Sequence, residues 1–329
     1  MKKIALGIAL MSLCFLSLAV AEDEKKEGIR CHSDQDCQSP GMIGTCHNPG
    51  KEDSACLFQE MIKVNGIVIT PKKCRTCNTE YVVKTLQTLF AGLNIEHLDA
   101  QSERAKKLIE DLKIEILPAY ILSKEVEKEP SFTRFGQMAD LLGDQYYMRP
   151  AFTGVSYFLD RPLEPHRLDL FLVLTHKDAN HLIGIVRELS EQRKDQLKLH
   201  IQLIGFKDPE TGELTIPAGR REMAEDKLYV CIDEYYPKEA WNYLACRTKD
   251  IDSLWWDDCL VENKLDVNKI KQCAKSDEAT KLLEKRTKLS EELRITYGPL
   301  FLLENIEVFG ASPQTTAADI IRVMDLKKE

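Results

Sequence analysis

Residues 61–123 read MIKVNGIVITPKKCRTCNTEYVVKTLQTLFAGLNIEHLDAQSERAKKLIEDLKIEILPAYILS, and the fold is decided there. Ile62 to Asn65 and Gly66 to Thr70 have the β-branched composition of strand. After Cys77, the apolar residues Val82, Val83, Leu86, Leu89 and Phe90 recur at helical spacing, and Glu80 with Lys84 makes a favourable i,i+4 pair. Asn94 to Leu98 alternates as a strand does. Ala105, Leu108, Ile109 and Leu112 mark a second helix, and Ile116 to Leu122 reads as one further strand with Pro118 near its start. The predicted order is strand, CxxC, helix, strand, helix, proline, strand.

Cys74-Arg75-Thr76-Cys77 carries the candidate chemistry. Its position between strand and helix predicts Cys74 at a helix N-terminus, where unpaired N–H groups and the helix dipole favour a thiolate. Lys72, Lys73 and Arg75 would add positive charge around it. A Cys74 thiolate attacks a disulfide, and Cys77 then resolves the mixed disulfide. The bare spacing is also that of structural disulfides and of zinc knuckles, so redox, structural and metal readings stand side by side. The flanking strand and helix and the distant strand-initial proline favour the redox reading.

With those elements in order, residues 61–123 resemble the thioredoxin superfamily, whose CxxC faces a cis-proline loop. The resemblance implies a cis bond at Leu117-Pro118, with Pro118 shaping the site. It implies that the Leu117 backbone pairs with a bound substrate chain, with Arg75 and Thr76 also at the substrate site. The Trp-Cys-Gly-Pro-Cys form of the thioredoxins proper is absent, Pro71 precedes the motif, and no buried acidic residue for proton transfer is identifiable.

A second copy begins near residue 168. Leu168 to Leu174 is an apolar strand, Ile183, Ile185, Val186 and Leu189 lie on a helix, and Leu197 to Ile204 is another strand. A long helical stretch over about 221–294 holds Cys231, Cys246, Cys259 and Cys273. Gly298 to Gly310 reads as a hairpin with Asn305 near its turn. Ser312 as N-cap and Pro313 at the first helical position predict a final helix. This segment resembles the superfamily branch with a helical insertion, the periplasmic disulfide oxidases and isomerases and the lysosomal thiol reductases. Tyr297-Gly298-Pro299 matches their cis-proline site. Where their CxxC belongs, this chain reads Thr175-His176-Lys177-Asp178-Ala179-Asn180-His181. His176, Asp178 and His181 make a poor metal set, because two histidines five apart do not share a helical face. Trp241, Trp255, Trp256, Tyr235, Tyr236 and Tyr243 are expected in the core of the helical insertion.

The remaining sequence fixes context. A length of 329 residues implies about two domains. Its 45 basic and 53 acidic residues leave a net charge of -8, which argues against a nucleic-acid partner. Lys2 and Lys3, the apolar run Ile4 to Val20 and the small-x-small Ala19-Val20-Ala21 form a secretory signal peptide. Cleavage after residue 21 removes Cys14 and leaves an even ten cysteines of the original 11. A periplasmic or extracellular location is expected, where cysteines read as disulfides. Residues 31–57 are poor in apolar side chains, so Cys31, Cys37, Cys46 and Cys56 are expected to staple them with two disulfides of undetermined pairing. Cys231, Cys246, Cys259 and Cys273 are expected to form two more.

The expected fold class is α/β: two thioredoxin-like domains, each a central mixed sheet flanked by helices, the second with the helical insertion. The boundaries are 1–21 for the signal peptide, 22–60 for a cysteine-rich head, 61–160 for the CxxC domain and 161–329 for the second. The function expected is an exported thiol-disulfide oxidoreductase that takes protein or peptide thiols and disulfides, with Cys74, Cys77 and Pro118 catalytic and no cofactor or metal. Two alternatives accompany it: a non-catalytic binding module with structural disulfides, and an electron relay fed by a membrane thiol reductase.

Overall fold

In a computed structural model of the chain, residues 31–193 and 196–326 are described, and the expected signal peptide lies outside them. The chain divides into a unit ending at Met61 and a unit running from Ile62. Among the described residues no helix is long and apolar enough to cross a membrane.

The first unit is an antiparallel hairpin of Met42–His47 and Ala55–Glu60. Bonds Cys31–Cys46 and Cys37–Cys56 cross-link it. Its buried hydrophobic cluster consists of Cys31, Cys37 and Cys46, so the crosslinks stand in for a core. The sulfurs of Cys31, Cys37 and Cys56 gather within 4.8 Å of one another, but each is in a disulfide and offers no thiolate to a metal.

The second unit carries two mixed sheets. In the five-stranded sheet the order is Leu93–Asp99, Val64–Thr70, Ala119–Ser123, Gln145–Met148, Ala139–Leu142. Val64–Thr70 is parallel to Leu93–Asp99 and antiparallel to Ala119–Ser123. Strand alternation sends Val64 and Val68 to one face, against Val82 and Leu86 of helix Glu80–Leu89. It sends Ile69 to the other, against Ala105 of helix Glu103–Asp111. This βαβ unit followed by antiparallel strands, with a helix on each face, is a thioredoxin-like fold.

The six-stranded sheet runs Lys198–Leu203, Arg167–Leu172, Leu300–Leu303, Glu307–Gly310, Val155–Phe158, Ile116–Leu117. Its first two strands are parallel and joined through helix Ala179–Gln192; the other pairings are antiparallel. Helix Ala179–Gln192 buries Leu182, Ile183, Val186 and Leu189 in the largest core. The cis bonds are Leu117-Pro118 and Gly298-Pro299. At Gly298 a Cβ would stand 2.7 Å from Ile204 Cδ1 and 3.0 Å from the Phe171 carbonyl oxygen, so any side chain there would crowd the Phe171 backbone and displace Ile204.

Several sequence expectations are corrected. The strand Ile116–Leu122 is broken at Pro118, and its halves belong to different sheets: Ile116–Leu117 to the six-stranded one, Ala119–Ser123 to the five-stranded one. The last helix is Ala317–Asp325, not one starting at Pro313. Thr316 and Asp319 form a reciprocal capping box there, while Ser312 spends its hydrogen bonds on Thr315 and Gln314 in a turn. The helical stretch 221–294 is five α-helices among the described residues, Arg220–Tyr235, Ala240–Arg247, Asp258–Glu262, Val267–Ala274 and Asp277–Glu292. Disulfides Cys231–Cys273 and Cys246–Cys259 cross-link them. Tyr243 is buried as expected of a core residue, but Trp255 is 73% exposed because it lies on the loop before Asp258–Glu262.

Candidate active site at the Cys74–Cys77 loop

Cys74 and Cys77 form a disulfide on the loop between strand Val64–Thr70 and helix Glu80–Leu89. The expected placement of Cys74 at the helix N-terminus is not found. The helix begins at Glu80, whose N–H donates to the Asn78 side chain at 2.9 Å, and Asn78 N–H turns back to the Thr76 carbonyl. An aspargine-type turn thus separates the dithiol from the helix dipole. Two of the three positive charges expected around the sulfur are paired with carboxylates, while Lys73 stands exposed. Lys72 pairs with Asp99 at 3.4 Å, and the half-buried motif residue Arg75 pairs with Glu304 at 2.9 Å.

The partner of the loop is the turn Glu304–Glu307 of the hairpin expected over Gly298 to Gly310; the hairpin and the place of Asn305 at its turn are as read from the sequence, but its contact with the Cys74–Cys77 loop was not foreseen. Glu304 and Asn305 both have positive φ, as a tight turn requires, and Asn305 is held by Arg161 and by the Pro162 carbonyl. Glu307 is 1% exposed. Its Oε1 accepts from Arg75 N–H at 2.9 Å, Thr76 N–H at 2.6 Å and Thr76 Oγ1 at 2.7 Å. The same oxygen lies 3.4 Å from Cys74 Sγ, which carries no hydrogen in the disulfide.

One rung of the six-stranded sheet ties this grip to the proline loop. Glu307 stands opposite Tyr157, and Tyr157 stands opposite Leu117. Two strand spacings put Leu117 about 10 Å from Glu307. The Tyr157 phenol is pushed up by burial and then by Glu307, with Arg75 acting the other way. Leu117 and Pro118 are both buried. The backbone position that a substrate chain was expected to take, beside Leu117, is therefore held by strand Val155–Phe158. Arg75 and Thr76, expected at the substrate site, bind Glu304 and Glu307 instead.

The equivalent loop of the other sheet repeats the arrangement without cysteine. After strand Arg167–Leu172, Glu222 accepts from Leu174 N–H, from Thr175 N–H at 2.8 Å and from Thr175 Oγ1 at 2.6 Å. His176 Nδ1 accepts from Asp178 N–H, and His181 Nε2 bonds the Thr315 carbonyl, so the two rings point to different partners. Glu222 also lines a cavity of about 200 Å³ with Leu172, Pro217, Tyr297 and Gly298, next to the second cis-proline.

Strand order, flanking helices and the Cys74–Cys77 loop together define a thioredoxin-like fold. No protein-family model matches the chain, and no curated protein matches it. Among solved structures it is similar to the disulfide interchange protein DsbA from Klebsiella pneumoniae, at 10% identity over 54% of this chain and 98% of that one, TM-score 0.39. It is similar to the oxidoreductase DsbA from Xylella fastidiosa, at 9% identity over 50% and 88% of the two chains, TM-score 0.39. A thioredoxin-like oxidoreductase from Silicibacter pomeroyi DSS-3 matches at 12% identity over 52% and 89%, TM-score 0.37.

Proposed function

We propose that the chain is an exported thiol-disulfide oxidoreductase, built of two thioredoxin-like folds in tandem, that exchanges protein disulfides through Cys74 and Cys77. The observation that carries this is the Cys74–Cys77 disulfide on a strand-to-helix loop, linked through Glu307 and Tyr157 to the cis Leu117-Pro118 bond. In the reaction the Cys74 thiolate attacks a substrate disulfide and one substrate thiolate leaves. Cys77 then attacks the mixed disulfide, releases the second substrate thiol and closes the Cys74–Cys77 bond. The fold around Thr175 is the non-catalytic partner, since its loop holds a carboxylate where a dithiol would stand. Residues 1–21 direct the chain to the periplasm or cell exterior.

Insulin reduction with dithiothreitol as the electron source tests the reading. Cys74→Ser should lower the rate at least a hundredfold, and Cys77→Ser should trap a mixed disulfide on Cys74. If wild type and Cys74→Ser reduce insulin alike, the activity is not there. A binding module with structural disulfides is the second reading, favoured by the burial of Leu117 and Pro118. A Cys74–Cys77 potential well below about -300 mV would favour it.

A further inference from the structure

We infer that Glu307 is the positioning residue that sets the ionisation of Cys74, and through it the redox balance of the Cys74–Cys77 pair. This rests on the proposed exchange chemistry of that pair. A cysteine thiolate on such a loop needs backbone N–H donors and nearby positive charge. Here the N–H groups of Arg75 and Thr76 both point at Glu307, together with the Thr76 hydroxyl. The donors nearest Cys74 are therefore spent on a carboxylate.

The charges around the sulfur point the same way. Arg75 comes from the loop itself and is matched by Glu304 from the hairpin. Lys72 is matched by Asp99 at the end of strand Leu93–Asp99. Lys73 is exposed to water. Tyr157 on the neighbouring strand has its phenol pushed up and is neutral near pH 7. Glu307, buried and 3.4 Å from Cys74 Sγ, is left as the unmatched charge at the sulfur. Like charges at that distance disfavour each other by about one to three pH units of ionisation.

Reduction breaks the Cys74–Cys77 bond and places two electrons on the sulfurs. Beside Glu307, Cys74 must then take up a proton rather than remain a thiolate. The reduced pair loses the stabilisation that ionisation gives, and the disulfide is favoured. Glu307 comes from the fold that lacks a dithiol, so that fold tunes the dithiol of the other.

Two variants separate charge from shape. Glu307→Gln keeps a carbonyl oxygen for Arg75 N–H and Thr76 N–H but removes the charge. Glu307→Asp keeps the charge and shortens the reach. In a Cys77→Ser background, iodoacetamide alkylation of Cys74 against pH should have its midpoint above the ordinary thiol value of about 8.5. Glu307→Gln should lower that midpoint by at least one unit, and Glu307→Asp should restore it. With both cysteines present, equilibration against glutathione at pH 8.5 should shift toward the dithiol roughly tenfold in Glu307→Gln, or about 30 mV. Unchanged midpoints and an unchanged glutathione equilibrium in Glu307→Gln would overturn the inference. A wild-type pair that exchanges with neither glutathione nor dithiothreitol would instead sink the oxidoreductase reading, and the alkylation midpoints would still decide the role of Glu307.

Discussion

Asp226→Asn should make the protein more stable than wild type at neutral pH, while the two proteins match near pH 4. Asp226 lies on helix Arg220–Tyr235 and is 1% exposed. Burial, followed by repulsion from Glu222, a side-chain hydrogen bond shared with Glu222 and repulsion from Glu225, pushes its carboxyl well above the usual range. In the folded protein it therefore keeps a proton that the unfolded chain gives up near pH 3.9. The folded form binds more protons, so stability falls as pH rises from about 4 toward the folded-state value. The slope from this one group is about 1.4 kcal/mol per pH unit. Asparagine copies the neutral carboxyl and has no proton to lose. In urea titrations with the disulfides intact, the gap between variant and wild type should widen steadily as pH rises from 5 to 7. Parallel stability curves would show that Asp226 is ionised in the fold.

The carboxylates of this helix also show where sequence reading stops. Glu222, Glu225 and Asp226 are spaced three and four apart, which is equally the pattern of a solvated helix face. Nothing local says that Glu222 will cap the Thr175 loop from 47 residues away. The CxxC and the strand-helix order were legible because each is a local pattern, whereas the cis bonds at Pro118 and Pro299 followed only from the resemblance to the thioredoxin superfamily. Pro118 was placed at a strand start, but not as the point where the chain passes between sheets, because strand periodicity carries no record of the partner. Glu307 binds a loop 231 residues distant. Its one available signal was an acidic residue set between apolar Ile306 and Val308, in a strand where Val308 and Phe309 are also buried. The final helix was misplaced for a different reason. Ser312-Pro313 and Thr316 with Asp319 are both start signals, and the reciprocal box satisfies more of the helix N–H groups.

The two loops share a device whose consequences differ. In each, a buried glutamate collects two successive backbone N–H groups and a threonine hydroxyl. At Thr175 the glutamate comes from the insertion of the same fold, and no sulfur is present. At Thr76 it comes from the opposite sheet and lies against the disulfide. Strand Val155–Phe158 completes the cover by pairing with Leu117. Any chain that paired with Leu117 would first have to displace this strand.

Glu225→Ala should cost more than any surface change, about 3–5 kcal/mol. Arg247 is 5% exposed and meets Glu225 as a fork, Nε to Oε2 at 3.0 Å and Nη2 to Oε1 at 2.6 Å. Taking away the carboxylate leaves a guanidinium charge buried without its counter-ion. The pair is not itself a large source of stability, because both charges had to leave water to form it. A double replacement of Glu225 and Arg247 by methionine should therefore recover most of the loss in urea titration. It should not recover all of it. Arg247 also donates to the carbonyls of Asp250, Ile251 and Ser253, at 2.9, 2.9 and 3.2 Å, and methionine offers them nothing. That loop leads into exposed Leu254 and Trp255, so hydrogen exchange over residues 250–256 should quicken in the double variant even where global stability returns. A double variant as unstable as Glu225→Ala would mean that taking the donor from the loop carbonyls costs as much as stranding the guanidinium charge.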